Sequence, residues 1–103
     1  MSDKFKVYVT PSALREIKEL PGNVRQRVKR AVDKLAEEPR PSGSTALELP
    51  DIEYQVRRLR LDKWRLIYAV TESDDEKLLD VLAVRKRPPY DYADLEKLLE
   101  EKN

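Results

Sequence analysis

Arginine is concentrated in two segments of the second half of the chain, residues 54–71 and 84–87. A guanidinium group presents a rigid fork of hydrogen-bond donors, which matches the oxygens of a phosphate. A cluster of such groups on one surface would therefore suit the binding of a phosphodiester. The basic residues concerned are Arg57, Arg58, Arg60, Arg65, Arg85, Lys86 and Arg87, with Tyr90 and Tyr92 directly beyond them.

A purely structural role for the same arginines is also open. Strand arginines often lie flat along a sheet and pair with nearby carboxylates. Against this, residues 54–71 hold five basic residues and one acidic residue, so local partners for the arginines are few. The acidic residues that could serve are Glu48, Asp51, Glu53, Asp62 and Asp80.

Three consecutive strands are predicted to carry these arginines. In residues 64–71 both alternating sets of side chains are apolar except at Arg65, which is typical of a central strand covered on two faces. Residues 78–84 are similar, and only Asp80 interrupts the apolar run. A hairpin turn is predicted at residues 61–63, and the third strand should end at the Pro88-Pro89 pair, because proline cannot continue a ladder.

The first of the three strands changes phase along its length. The apolar positions 54 and 56 fall in one register, and the apolar positions 59 and 61 fall in the other. One extra residue near Arg57-Arg58 would reconcile them, which predicts a β-bulge. Because a bulge re-aims side chains, Arg57 and Arg58 are expected to reach the same groove.

The rest of the chain predicts a short strand, a helical hairpin, a loop and a last helix. Residues 4–10 form the strand, Thr10-Pro11 begins the first helix, and Pro21-Gly22 ends it. A second helix covers about residues 23–37, and residues 38–50 are expected to be a loop. Asp91 can cap the last helix, whose apolar stripe should pack on the sheet edge or over the arginines. That stripe consists of Leu95, Leu98 and Leu99.

The predicted fold is therefore of the α+β class. A two-helix hairpin packs on a small, mainly antiparallel four-stranded sheet in the order β-α-α-β-β-β, followed by a C-terminal helix. The length of 103 residues predicts one domain over residues 1–103, and the 40% of charged residues leaves only a thin core.

Composition excludes several kinds of chemistry. The chain has no cysteine and no histidine, which rules out disulfides, the usual zinc ligands, Ser-His-Asp catalysis and paired-histidine ribonuclease chemistry. No metal and no other cofactor is expected. No apolar run reaches membrane length, so a soluble cytoplasmic protein is expected. The net charge of +1 carries no overall nucleic-acid signature.

Two segments resemble the RelE/ParE toxin superfamily of bacterial type II toxin–antitoxin systems. They read YQVRRLRLDKWRLIYAV at residues 54–70 and VRKRPPYDY at residues 84–92. RelE-like toxins have an aromatic residue, arginine, two hydrophobic residues and tyrosine, which WRLIY at residues 64–68 matches. Their later motif is Val-Gly-(His or Lys)-Arg, from which this chain departs in having Arg85 in place of glycine. The resemblance covers residues 4–92.

The resemblance implies cleavage of ribosome-bound mRNA without a metal, by attack of the ribose 2′-hydroxyl on the adjacent phosphate. The family's catalytic arginines correspond to Arg65 and Arg87, which would neutralise the scissile phosphate. Tyr90 and Tyr92 straddle the position of the family's tyrosine, and either would stack on a base or help proton transfer. The residues implied to bind RNA are Arg57, Arg58, Arg60, Arg85 and Lys86.

Two alternatives stay open within the same superfamily. ParE-like members act on DNA gyrase and usually lack the paired arginines and the terminal tyrosine, so the ribonuclease branch is favoured. A degenerate member that only binds its antitoxin would suit the near-neutral charge. In every case the implied partner is a cognate antitoxin, expected to wrap the helical hairpin and the sheet and to displace the last helix or disturb the tyrosines. The ribonuclease branch adds the ribosome and mRNA as partners.

Overall fold

A mixed five-stranded sheet with the spatial order β1-β5-β4-β3-β2 forms the centre of the molecule. The computed structural model describes residues 4–47, 54–86 and 95–102. Strand β1 pairs in parallel with β5, and the other neighbours are antiparallel. In chain order the elements are β1 (Lys6–Val9), α1 (Pro11–Lys18), α2 (Gly22–Glu37), β2 (Ser44–Leu47), β3 (Gln55–Leu61), β4 (Trp64–Glu72), β5 (Lys77–Lys86) and α3 (Leu95–Glu100).

The predicted α+β class, the helical hairpin and the last helix are confirmed, but the sheet has one more strand than predicted. Strand β2 lies inside the segment that was expected to be a loop, and it pairs with β3 at the edge of the sheet. Its four residues, STAL, comprise two polar and two apolar residues, and its two central positions are exposed. A short edge strand needs no apolar alternation, which explains why the sequence pattern missed it.

Helix α1 begins as its sequence predicts. The Oγ1 atom of Thr10 accepts a hydrogen bond from the Ala13 N–H at 3.2 Å, and Pro11 occupies the first helical position. The same hydroxyl donates to the carbonyl oxygen of Val81 in β5 at 3.1 Å. Thr10 therefore both caps the helix and attaches its start to the sheet.

Both helices of the hairpin pack on one face of the sheet, which we call the helix face. Its core combines side chains of the central strands with the buried stripe of α2, and its largest fully buried side chain is Tyr68. The Tyr68 hydroxyl donates to the Pro39 carbonyl oxygen at 2.7 Å. Burial raises the pKa of Tyr68, against the opposing effects of Ser44 and Arg57. The buried members of this core are Phe5, Ala13, Leu20, Val28, Ala31, Leu35, Leu66, Tyr68, Val70, Leu79, Val81 and Val84.

The opposite side of the sheet, which we call the second face, has a smaller core of its own. Helix α3 contributes Leu98, which is 5% exposed, and the partly buried Leu99. Apolar residues on both sides of the central strands explain the near-continuous hydrophobic runs seen in the sequence. The buried members of the second core are Val56, Ile67, Ala69, Leu82, Ala83 and Leu98.

The predicted bulge in β3 is wrong. The pairing of β3 with β4 is continuous from Gln55 opposite Val70 to Leu61 opposite Trp64. The change of phase arises because Val56 is buried on the second face, whereas Leu59 packs on the helix face. The strand thus supplies apolar side chains to two different cores without an extra residue.

The irregularity of the sheet lies instead in β5. Ile67 of β4 is opposite Ala83, whereas the next residue, Tyr68, is opposite Val81. Leu82 is therefore one extra residue on β5, and both Leu82 and Ala83 are buried on the second face.

The two residues that follow α3, Glu101 and Lys102, are attached to α1 and β5. The carboxylate of Glu101 accepts hydrogen bonds from the Ser12 N–H, at 2.7 Å, and from the Ser12 hydroxyl. The Nζ atom of Lys102 lies 3.6 Å from Oδ2 of the fully buried Asp80 and 4.5 Å from the centre of the Tyr54 ring. Burial, and then the charge of Asp80, raise the pKa of Tyr54. These contacts hold the residues after α3 against the molecule.

The contact between Glu101 and Ser12 predicts a dependence of stability on pH. The hydrogen bonds from Ser12 hold the pKa of the Glu101 carboxyl below its ordinary value of 4.5. The carboxylate therefore stabilises the fold at neutral pH, and this contribution is lost as the pH falls through the lowered pKa. We expect Glu101→Gln to lower the free energy of unfolding at neutral pH and to reduce its further loss in acid, measured by urea unfolding.

Glu100→Gln is the matched control, because Glu100 is the exposed neighbouring carboxylate. This variant should leave both the stability at neutral pH and its acid dependence unchanged. The same acid dependence in the wild type and in Glu101→Gln would contradict the assignment.

Candidate nucleic-acid interface

The register of the sheet places three arginines side by side on three adjacent strands. Arg60 of β3 is opposite Arg65 of β4, and Arg65 is in turn opposite Arg85 of β5. Residues directly opposite each other project from the same face of a sheet, and neighbouring strands are about 4.8 Å apart. We call Arg60, Arg65 and Arg85 the arginine row. Arg58 is opposite Ile67 and therefore projects from the same second face.

Arg85 belongs to this row because of the bulge in β5. Before the bulge, Leu79 and Val81 point to the helix face; after it, Val84 does so. Regular alternation through Leu82 and Ala83 would turn Arg85 towards the helices, but the bulge places both of these residues on the second face. The bulge thus aligns Arg85 with Arg65, and like charges opposite each other destabilise a sheet unless something binds them.

Arg65 is the most buried of the described arginines, with 7% of its surface exposed. Its Nη1 atom donates to the carbonyl oxygens of Asp62 and Trp64, each at 3.0 Å. Asp62 has a φ of 60°, the left-handed conformation that a tight two-residue hairpin turn requires. Both acceptors are neutral carbonyls, so these bonds orient the guanidinium group without cancelling its charge.

Arg85 has a carboxylate beside it. Its Nε atom lies 3.5 Å from Oε2 of Glu16 in α1, and both side chains are partly buried. The other oxygen of Glu16 accepts a hydrogen bond from the Val84 N–H at 2.8 Å. Sequence analysis missed Glu16, because a glutamate on a short helix with a charged surface carries no distinguishing signal.

Two of the predicted RNA-binding residues are separated from the arginine row. Arg57 is opposite Tyr68 on the helix face, and its guanidinium group donates to the hydroxyl and carbonyl oxygens of Ser44 at 2.9 and 3.3 Å. The prediction that Arg57 and Arg58 reach the same groove is therefore wrong. Lys86 is opposite Trp64, which packs on the helix face, so Lys86 also lies apart from the row.

The remaining predicted site residues, Arg87, Tyr90 and Tyr92, lie outside the described residues, as does the predicted cap Asp91. Among the acidic residues considered as partners for the strand arginines, Asp62 contacts Arg27 of α2 at 3.5 Å, and Asp80 contacts Lys102 as described above.

Within the described ranges, no group of three or more acidic residues is arranged to hold a metal ion. No helix in those ranges is long and apolar enough to cross a membrane.

A groove of about 560 Å³ lies on the other side of the molecule, between α2 and β3. Its floor is apolar and includes Leu35, Leu59 and Leu61, whereas basic side chains of α2 form much of its rim. Such a surface suits an amphipathic segment with acidic side chains. The charged residues that line the groove are Arg27, Arg30, Lys34, Glu37 and Glu38.

Solved structures similar to this chain include those of bacterial and archaeal RelE toxins. The RelE–RelB complex from Pyrococcus horikoshii matches with a TM-score of 0.71 at 23% identity, covering 84% of this chain and 99% of the other. The isolated Escherichia coli RelE toxin matches with a TM-score of 0.67 at 24% identity, covering 90% and 96%. The intact E. coli RelBE complex matches with a TM-score of 0.58 at 25% identity, covering 80% and 95%.

Sequence comparison adds a family assignment to this likeness of fold. No curated protein matches the chain. A family profile described as the ParE toxin of the type II toxin–antitoxin system parDE matches residues 7–88, which include the helical hairpin, strands β2 to β5 and all of β1 except its first residue. The chain therefore belongs to the ParE toxin family of type II toxin–antitoxin systems, within the RelE/ParE superfamily that its strand motifs resemble.

Proposed function

We propose that this toxin is a ribonuclease of the RelE kind, which cleaves mRNA during translation. The observation that carries the proposal is the arginine row with Arg58 beside it, a set of cations on one face of the sheet. A polyanion relieves their mutual repulsion and accepts their hydrogen bonds.

The reaction proposed for this surface needs no metal. The ribose 2′-oxygen bonds to the adjacent phosphorus, and the bond from phosphorus to the 5′-oxygen breaks. The products are a 2′,3′-cyclic phosphate and a 5′-hydroxyl. One proton leaves the attacking 2′-hydroxyl, and one must reach the departing 5′-oxygen.

The roles of the side chains follow from their chemistry. Arg65, already oriented by two carbonyl oxygens, is suited to bind the negative charge that grows on the phosphate in the transition state. Arg87 is proposed as the second such group, and Arg58 and Arg60 as contacts to neighbouring phosphates. Because the chain has no histidine, proton transfer is assigned to Tyr90 or Tyr92.

We also propose that a cognate antitoxin keeps the toxin silent. The matched structures from P. horikoshii and E. coli include complexes of RelE with RelB, which supports a partner of this kind. The groove between α2 and β3 is the surface proposed for it, since its apolar floor and basic rim fit an acidic amphipathic segment.

A second candidate function is inhibition of DNA gyrase. It is favoured by the family profile, whose members are ParE toxins. The two functions separate in a single comparison: purified protein added to translating ribosomes and to a gyrase supercoiling reaction. Activity in the second assay alone would replace the ribonuclease proposal, and antitoxin binding without either activity would identify a degenerate member.

Removal of Arg65 tests the ribonuclease proposal. Arg65→Ala should reduce mRNA cleavage by about 100-fold or more, the usual cost of losing a transition-state donor. Arg65→Lys keeps a charge and an apolar stem but loses the fork of donors, and it should also be strongly impaired. Cleavage is measured by mapping mRNA 5′ ends after addition of protein to translating ribosomes.

Arg25→Ala is the matched control, because Arg25 is an exposed arginine of α2 whose guanidinium group contacts the Leu20 carbonyl oxygen. It should retain full cleavage. Thermal unfolding of each variant separates a lost function from a lost fold. Full cleavage by folded Arg65→Lys and Arg65→Ala would refute the role given to this residue.

A second test concerns metal ions. Because the proposed reaction uses only side chains of the protein, cleavage should continue in excess EDTA when the ribosomes are first shown to remain intact. Activity lost in EDTA and restored at the cleavage step by a divalent ion would be incompatible with the mechanism.

The third test concerns the antitoxin. A double variant, Arg30→Glu with Lys34→Glu, reverses the charge of the groove's basic rim. It should associate more slowly with the antitoxin encoded beside the toxin, because attraction between opposite charges accelerates their encounter. Wild-type association should also slow steeply as salt is added. Lys29→Glu, on the same helix but outside the groove lining, is the control in a stopped-flow measurement. Equal rates for the three proteins would exclude this groove as the docking surface.

A further inference from the structure

We infer that Glu16 is a positioning residue for the arginine row: it fixes the end of β5 and holds Arg85 beside Arg65. The inference deepens the proposed ribonuclease function and rests on it. It assigns a role to a carboxylate of α1 that lies outside the strand motifs of the sequence and outside the sheet itself.

The first part of the argument is the edge of β5. Strand β1 pairs with β5 only as far as Val9 opposite Val81, and among the described residues no strand pairs with the following part of β5 on that side. Instead, Glu16 of helix α1 and the helix cap Thr10 provide hydrogen-bonding partners for this edge of β5. The Thr10 N–H and hydroxyl both donate to the Val81 carbonyl oxygen at 3.1 Å, and Glu16 Oε1 accepts from the Val84 N–H at 2.8 Å.

The second part is the residue that follows. The other oxygen of Glu16 lies 3.5 Å from Nε of Arg85, and the two side chains are 29% and 21% exposed. A pair that is this far removed from solvent is screened less than an ion pair on the open surface. One carboxylate therefore holds both a backbone N–H and the adjacent guanidinium group.

The third part is the place of Arg85 in the row. Arg85 lies directly opposite Arg65, so their charges repel each other across β4 and β5. The carboxylate of Glu16 draws the Arg85 guanidinium group towards α1 and offsets part of its charge. Arg65 is thereby left as the cation at the centre of the row, where a bound phosphate would meet it.

The two functions of Glu16 can be separated by substitution. Glu16→Gln keeps an oxygen that can accept from the Val84 N–H but removes the charge that holds Arg85. Loss of a negative charge should leave RNA binding unchanged or tighter, while misplacement of a group that binds the phosphate lowers the rate. We therefore expect a fall of about tenfold in the cleavage rate at saturating ribosomes, with no rise in the concentration needed for half saturation.

A double-mutant cycle tests whether the effect passes through Arg85. Glu16→Gln, Arg85→Ala and the double variant are compared in single-turnover cleavage of mRNA on programmed ribosomes. If Glu16 acts by positioning Arg85, the Gln substitution should have little further effect when Arg85 is already absent. Glu19→Gln, an exposed carboxylate at the end of the same helix, should leave the cleavage rate unchanged.

Other results would overturn the inference. The inference would be wrong if Glu16→Gln cleaved mRNA at the wild-type rate. It would also be wrong if Glu16→Gln lowered the cleavage rate by the same factor with and without Arg85, since a purely structural residue acts in both backgrounds. The inference would fail as well if Glu16→Gln had a lower melting temperature and the fraction of unfolded protein accounted for the whole loss of cleavage rate.

An NMR measurement keeps the inference distinct from the proposed function. In Glu16→Gln the Nε–H signals of Arg85 and Arg65 should shift, and that of Arg85 should exchange faster with solvent. If the wild-type protein cleaves no RNA, the ribonuclease proposal fails, and these spectra alone decide whether Glu16 positions the Arg85 guanidinium group. Unchanged Arg85 and Arg65 signals would then overturn the inference.

Discussion

The β-bulge in β5 determines which side chains can act together in this protein. Side chains alternate between the faces of a regular strand, and a bulge that places two consecutive residues on one face changes the faces of everything after it. Leu82 and Ala83 are those two residues, and their arrangement places Arg85 on the face that carries Arg65. The cost is small, because Leu82 and Ala83 are both buried in the second core. The arginine row therefore depends on the phase of β5 as much as on the arginines themselves.

Helix α1 supports the same region from the side. Its cap, Thr10, donates a hydrogen bond from its hydroxyl to β5, and the carboxylate of Glu16 accepts one from β5 further along. The helix thus satisfies backbone groups that an exposed edge strand would present to solvent or to another chain. An element that packs against the core on one side consequently controls the geometry of charged groups on the other side of the sheet.

The two faces of the sheet present different chemistry. The helix face carries the larger core and, beside α2, a groove with an apolar floor and a basic rim. The second face carries the smaller core under α3, which is held by the contacts of Glu101 and Lys102, and the arginine row further along the same strands. A partner that covers the groove and a nucleic acid that binds the row would therefore contact different surfaces.

Sequence alone determined the order of the elements other than β2, the capped start of α1 and the identity of β4 and β5 as central strands, because these depend on local periodicity and on capping chemistry. It also singled out Arg65 and Arg85 as arginines in unusual positions. It missed β2, because a four-residue edge strand with no buried member has no apolar alternation, and it placed the bulge in the wrong strand. A change of apolar phase in β3 has two explanations, an extra residue or burial in two cores, and only the packing of Val56 and Leu59 distinguishes them. The separation of Arg57 from Arg58, the alignment of Arg60, Arg65 and Arg85, and the contact with Glu16 depend on pairing between residues distant in sequence. The tertiary structure alone decided these, since strand register and long-range contacts leave no trace in local composition.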